Sequence, residues 1–210
     1  MHVAAARGGH DEAAYFADLA LRLHSARQLD GLVAMMVTAA QEAFACHLAA
    51  VAVLGPRQQV RSIQGPAADL VQAAVTAGTG PWWEAVTSRS AQSADEDSQP
   101  SITTAVHAPI TPGSGRPSGT LSLYLPAPPD LRRLTHFCTY AGIALEGLWY
   151  QDRLRRSMET HTTVGSGIGM LMERYSLDRA AAYDVMSTLA IEDGLRLKEI
   201  AERLREDSAQ

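Results

Sequence analysis

The sequence predicts an α+β fold: an antiparallel sheet flanked by helices, then one long connecting helix, then a small three-helix bundle. Three observations carry that prediction. Short apolar runs closed by Gly and Pro punctuate the stretch from Leu48 to Leu125. From Leu131 a helical spacing of apolar residues continues for some forty residues without a proline. Beyond Asp178 two further helical segments follow, joined by short connections.

At 210 residues the chain holds one large domain or two modest ones. It is 46% hydrophobic and 20% charged, an ordinary globular balance that gives enough apolar area for a core. The net charge of −5 argues against an indiscriminate polyanion binder, so any nucleic-acid site must be a local patch. Cys46 and Cys138 sit in apolar helical patterns without a partner at metal-ligand spacing, which suits a reduced, cytoplasmic setting. Met1 to Asp11 lacks the apolar run of a signal peptide, and no run of eighteen apolar residues exists to span a membrane.

Along the chain, Asp11 to Ala26 places Tyr15, Phe16, Leu19 and Leu23 at helical spacings, and a second helix begins near Leu29 with Leu32, Val33, Met36 and Val37 on one side. Leu48 to Leu54 is a short apolar run stopped by Gly55-Pro56, which favours a buried strand, and Gln59 to Gln64 reads as its hairpin partner. Pro66 to Ala77 returns to helical spacing. Gly80-Pro81 then suits another helix start, with Pro at the first helical position.

Ser88 to Thr103 is polar and reads as a loop with at most a short strand at Ala91 to Ala94. Within it Asp95, Glu96 and Asp97 lack the glycine turn and bidentate Glu of a calcium loop, so a solvated acidic turn is the plainer account and no metal is expected. Thr104 to Thr111 and Ser118 to Leu125 form a strand pair around a Gly/Pro-rich hairpin loop, Pro112 to Pro117.

Adjacent Trp82 and Trp83 point about 100° apart on a helix, so one can be buried while the other faces a groove. Core packing is the plainer account of both, and Trp82, Trp83, His107 and Tyr124 are the candidates for a small-ligand pocket. His24, His47, His136 and His161 lie apart, without the paired spacing of a helical zinc site. No nucleophile elbow and no acid-base set beside either Cys is visible, so no enzymatic role and no cofactor is expected.

After Pro126 to Pro129, Asp130 can cap the long helix, whose apolar positions run through Leu134, Phe137, Ala141, Leu145, Leu148, Leu154 and Met158 to Ile168 and Leu171. Continuous over about 131–172, it would reach about 60 Å at 1.5 Å per residue. Helices of that length usually signal a coiled coil, so a homodimer is expected along it.

Gly165, Gly167 and Gly169 alternate near its end. A phosphate-cradling loop would need a preceding strand, and none is there. Inside a helix each glycine costs up to about 1 kcal/mol against Ala, so close approach of another backbone, protein or RNA, is their expected use. Asp178 caps the next helix, with Ala182, Tyr183, Met186, Leu189 and Ala190 expected inward; Gly194 stops it, and a last helix carries Leu197, Ile200, Ala201 and Leu204.

Gly169-Met170-Leu171-Met172-Glu173-Arg174, then Ala182-Tyr183, then Leu197-Lys198-Glu199-Ile200-Ala201 resemble an ANTAR domain, the three-helix RNA-binding module of transcription antitermination regulators. Gly167 stands where that family usually has alanine, Ile168 where it has a basic or polar residue, and Gly194 where it has asparagine. From about Leu29 to Tyr150 the chain resembles a GAF domain, through Gly78-x-Gly80-Pro81-Trp82-Trp83-Glu84-Ala85 and the strand Gly119 to Tyr124. A longer segment with an Arg-Trp-Pro signature, usual in such relatives, is shortened here to Ser98-Gln99-Pro100.

The resemblance implies an N-terminal helix at 1–28, a GAF-like domain at 29–150 and an ANTAR-like domain at 151–210. It further implies RNA stem-loops as partners, bound through Gly167, Gly169, Arg174, Arg179, Tyr183, Arg196 and Lys198. RNA loops are read by splayed bases stacked on aromatic or Arg planes, with basic groups on phosphate. The GAF-like part would set dimerisation or receive a small-molecule or protein signal. The alternative is a sensory or scaffold protein whose terminal bundle binds protein.

Overall fold

In the computed structural model, residues 2–55, 57–99, 102–112 and 115–207 are described. Pro100 and the hairpin-loop residues Gly113 and Ser114 lie outside them. Helices α1 (His2–His24) and α2 (Leu29–Phe44) precede strands β1 (Leu48–Leu54) and β2 (Val60–Gln64). Then come α3 (Ala68–Ala77), α4 (Pro81–Ser88), β3 (Gln92–Gln99), β4 (Ile102–Ile110) and β5 (Gly119–Leu125). The chain closes with α5 (Leu131–Tyr175), α6 (Arg179–Asp193) and α7 (Leu197–Asp207). Two compact units result, Met1–Trp149 and Tyr150–Gln210.

The first unit is built on one five-stranded antiparallel sheet, ordered β2-β1-β5-β4-β3. Successive side chains along a strand point to opposite faces, and both faces are covered here. Val51, Val53, Val106, Ile110, Leu121 and Leu123 pack on one side with residues of α1, α2 and the start of α5, including Leu19, Met36 and Phe137. Ala50, Ala52, Leu54, Ala105 and Tyr124 pack on the other with Val71, Trp82 and Val86 from α3 and α4. Burial on both faces explains why β1 reads as a continuous apolar run rather than an alternation.

Helix α4 begins as the sequence predicts: Gly80, at φ 98°, turns the chain, and Pro81 takes the first helical position. Strand β3 corrects the loop expected from Ser88 to Thr103, because it runs through Asp95 to Gln99. As the sheet's last strand it pairs only with β4, so polar residues suffice, and its register with β4 shifts between Asp95 and Gln99.

Helix α5 is one element of 45 residues, continuous through Thr162-Thr163. Asp130 caps it, its Oδ1 accepting from the Arg132 N–H at 2.8 Å and the Arg133 N–H at 3.4 Å. In the second unit the end of α5 packs with α6 and α7 around Ile168, Leu171, Ala182, Met186, Ile200 and Ala201. Asp178 Oδ1 caps α6 by accepting from the Ala181 N–H at 2.8 Å. At its other end Gly194 is left-handed, φ 66°, and the Leu195 N–H returns to the Ala190 carbonyl at 2.9 Å. Before α7, the Arg196 N–H donates to Glu199 Oε2 at 2.7 Å, one half of a capping box.

Candidate nucleic-acid interface

The three glycines of α5 have different surroundings. A side chain at Gly167 would bring its Cβ to 2.8 Å from both Ala201 Cβ and Met186 Cε, so this glycine lets α5 and α7 approach inside the bundle. Around Gly165 and Gly169 an added Cβ meets nothing within 4 Å. Ile168, only 7% exposed, belongs to the bundle core, so an apolar residue there has a packing role. Gly194 needs the left-handed conformation, which asparagine also tolerates, so glycine in that place keeps the helix stop.

On α6, Ala182, Met186 and Ala190 face inward, as expected. Tyr183 does not. It is 45% exposed, because one residue beyond Ala182 a helix has turned about 100° away from the core. Its ring instead lines a groove of about 550 Å³ between α5 and α6, together with Arg179, His161, Gly165, Ile168 and Asp184. Two of the sequence-predicted RNA residues, Arg179 and Tyr183, thus share one site. Sequence reasoning left His161, Gly165 and Asp184 out of it. The spacing of His161, Gly165 and Ile168 by four and three on α5 was the available signal, since such residues lie on one helix face.

The remaining predicted groups lie outside that groove. Arg174 and Gly169 are exposed near the end of α5. Arg196 stands exposed before α7, and half-buried Lys198 in its first turn holds Glu202 at 3.6 Å. Three other cations of this unit are occupied: Arg203 holds Asp193 at 2.7 Å, and Asp152 binds Arg155 at 2.8 Å and Arg156 at 2.6 Å. The hydrogen bond from Arg155, with the charge of Arg156, holds the Asp152 carboxyl below the usual carboxylate range. Among the described residues, the guanidinium groups of Arg179 and Arg196 make no ion pair, which leaves both available for phosphate or base.

The pocket candidates of the first unit lie on the α3/α4 side of the sheet. Trp82 is 1% exposed, its ring edge-on to Trp83 at 5.0 Å and 82°. Trp83 is half-buried and donates its Nε1–H to the Val75 carbonyl at 3.3 Å. His107 Nδ1 lies 2.9 Å from Ser122 Oγ, and the His107 ring is edge-on to Tyr124 at 6.2 Å. All four thus line one buried layer, as packed side chains. Trp82 Nε1 and Thr120 Oγ1 are buried without a hydrogen-bond partner among the described residues.

No cluster of His, Cys, Asp or Glu among the described residues could hold a metal ion, and none of their helices is long and apolar enough to cross a membrane.

Comparison with known proteins agrees with this division. Residues 152–204 match the ANTAR domain family. The GAF domain of a phosphoenolpyruvate-protein phosphotransferase from Acinetobacter is similar in fold, with a TM-score of 0.51 at 12% identity over 68% of this chain and 97% of that one. So is the GAF domain of a protein named as a sensor histidine kinase from Pseudomonas syringae pv. tomato, with a TM-score of 0.54 at 12% identity over 77% of this chain and 99% of that one. Among curated proteins, none matches the sequence. The chain therefore carries a GAF-like N-terminal domain and a C-terminal ANTAR domain.

Proposed function

We propose that this chain is a dimeric regulator of transcription termination whose ANTAR domain binds RNA stem-loops under control of its GAF-like domain. An ANTAR domain implies RNA-binding antitermination. The observation that carries the reading is the match over residues 152–204 on a bundle that presents Arg179 and Tyr183 together at an open groove. Arg196, Lys198, Arg174 and Gly169 extend the contact surface to the helix ends, and Gly167 sets the helix approach beneath it. This role is regulatory and cytoplasmic rather than enzymatic, with input at 29–150 and output at 151–210.

The module is not basic. From Gln151 onward nine Arg and Lys face eleven Asp and Glu, and several of those cations are tied to carboxylates. Affinity from one module is therefore modest, which favours a dimer engaging two stem-loops at once. Exposed Tyr150, Leu154 and Met158 on α5 supply an apolar strip for self-association.

Input through the GAF-like domain has its own support. Among the described residues, the indole N–H of Trp82 and the hydroxyl of Thr120 are buried without partners, and a small molecule carrying acceptor atoms would satisfy them. An added effector should then change the Trp82 fluorescence and the RNA affinity together.

Gel-shift titration against a tandem stem-loop RNA tests the central reading. Binding should weaken steeply between 50 and about 200 mM salt, and Arg196→Ala or Lys198→Ala should each lower the salt slope by about one. No shift at micromolar protein would favour the bundle as a protein-contact module instead.

A further inference from the structure

We propose that the α5/α6 groove is a slot for a single unstacked RNA base, one that presents an amino group to Asp184. The inference rests on the RNA-binding reading above and goes beyond it by assigning the ligand of one site.

A glycine within a helix is unfavourable unless something needs the room, and apart from the helix's own backbone no atom of the described residues lies within 4 Å of a Cβ placed at Gly165, unlike at Gly167. Gly165 instead lines the groove together with Ile168. A groove lined by Val164, Gly165 and Ile168 beside the exposed Tyr183 and His161 suits a planar heteroaromatic ring and not a bulky aliphatic side chain.

Charge separates a base from a phosphate. The groove holds one fixed cation, Arg179, and one carboxylate, Asp184. A phosphate would meet Asp184 at the same time as Arg179, whereas a neutral base meets no net field. A carboxylate only accepts hydrogen bonds, so Asp184 needs donors from its ligand. Adenine, cytosine and guanine each carry an exocyclic amino group; uracil offers only its ring N3–H, flanked by two carbonyls that repel a carboxylate.

The test uses the full chain and a tandem stem-loop RNA with randomised loops, with the bound fraction sequenced. Wild-type protein should retain the pool and deplete uracil about tenfold at one loop position. Gly165→Leu, which adds a bulky side chain to the groove lining, should bind about tenfold more weakly, lose the depletion, keep its salt dependence and melt no lower than wild type. Asp184→Asn should erase the depletion with little loss of overall affinity. Retention without uracil depletion, and unaltered by Gly165→Leu, overturns the slot and leaves the RNA reading standing. No retention by wild type overturns both. Where Gly165→Leu alters sedimentation but not RNA binding, the groove is a protein contact and the slot is overturned. Should Gly165→Leu melt lower, Asp184→Asn decides, and unchanged depletion overturns the proposal.

Discussion

Gly167 and Gly169 are two residues apart on α5, yet the same substitution should move stability in opposite directions. Val in place of Gly167 drives a branched side chain into Ala201 and Met186, and overpacking of that kind destabilises by about 1–3 kcal/mol. Gly169→Ala enters open space and should stabilise by up to about 1 kcal/mol through helix propensity alone. Thermal melts of the two variants check the pair; a lower midpoint for both would show that Gly169 is also packed. The Cys138 thiol gives a second prediction. Burial pushes it up to about 12. Unfolded, that thiol ionises near its ordinary value, about 8.5, so burial's contribution is whole below that pH and is lost as pH rises towards 12. Native protein at pH 8 should therefore resist alkylation at Cys138. Stability measured by denaturant between pH 9 and 11 should fall less in Cys138→Ala than in wild type.

Among the elements, the helix ends are local devices that single substitutions can isolate. Gly194→Ala keeps the α6 sequence but forces a Cβ into the left-handed conformation, and should cost about 1–2 kcal/mol. Gly194→Asn should be closer to neutral, and paired denaturant titrations distinguish the two. Most elements were legible because each carries its own signal. Asp130 and Asp178 mark helix starts, Gly80-Pro81 marks α4, and the apolar run of β1 ends at Gly55. The part of β3 beyond Ala94 was not legible. An edge strand needs no apolar face of its own, and Asp95 to Gln99 carries charge and amide groups that equally describe a loop. Tyr183, expected inward with Ala182, is turned outward by helix phase, since one residue along a helix rotates about 100°. The groove was illegible for another reason. His161 and Asp184 are 23 positions apart, and only the packing of α6 on α5 brings them to one site.

At the scale of the whole molecule, the long helix and the near-neutral RNA module make one joint prediction. On the proposed function, a bundle with few unpaired cations binds a single stem-loop weakly, since phosphate neutralisation supplies much of RNA affinity. Two bundles in a dimer, engaging two linked stem-loops, convert the second contact into an intramolecular one and can raise affinity by about 10²–10⁴. The proposed dimer would form along α5, because Leu154 and Met158 are 50% and 63% exposed on a helix whose neighbouring charges are already paired with one another. Leu154→Glu combined with Met158→Glu should therefore shift sedimentation from dimer to monomer at tens of micromolar. The same double variant should lose most of its affinity for tandem stem-loop RNA while binding a single stem-loop as wild type does. Equal losses on both RNAs would place these side chains in the RNA contact itself, and unchanged sedimentation would remove α5 as the dimer interface.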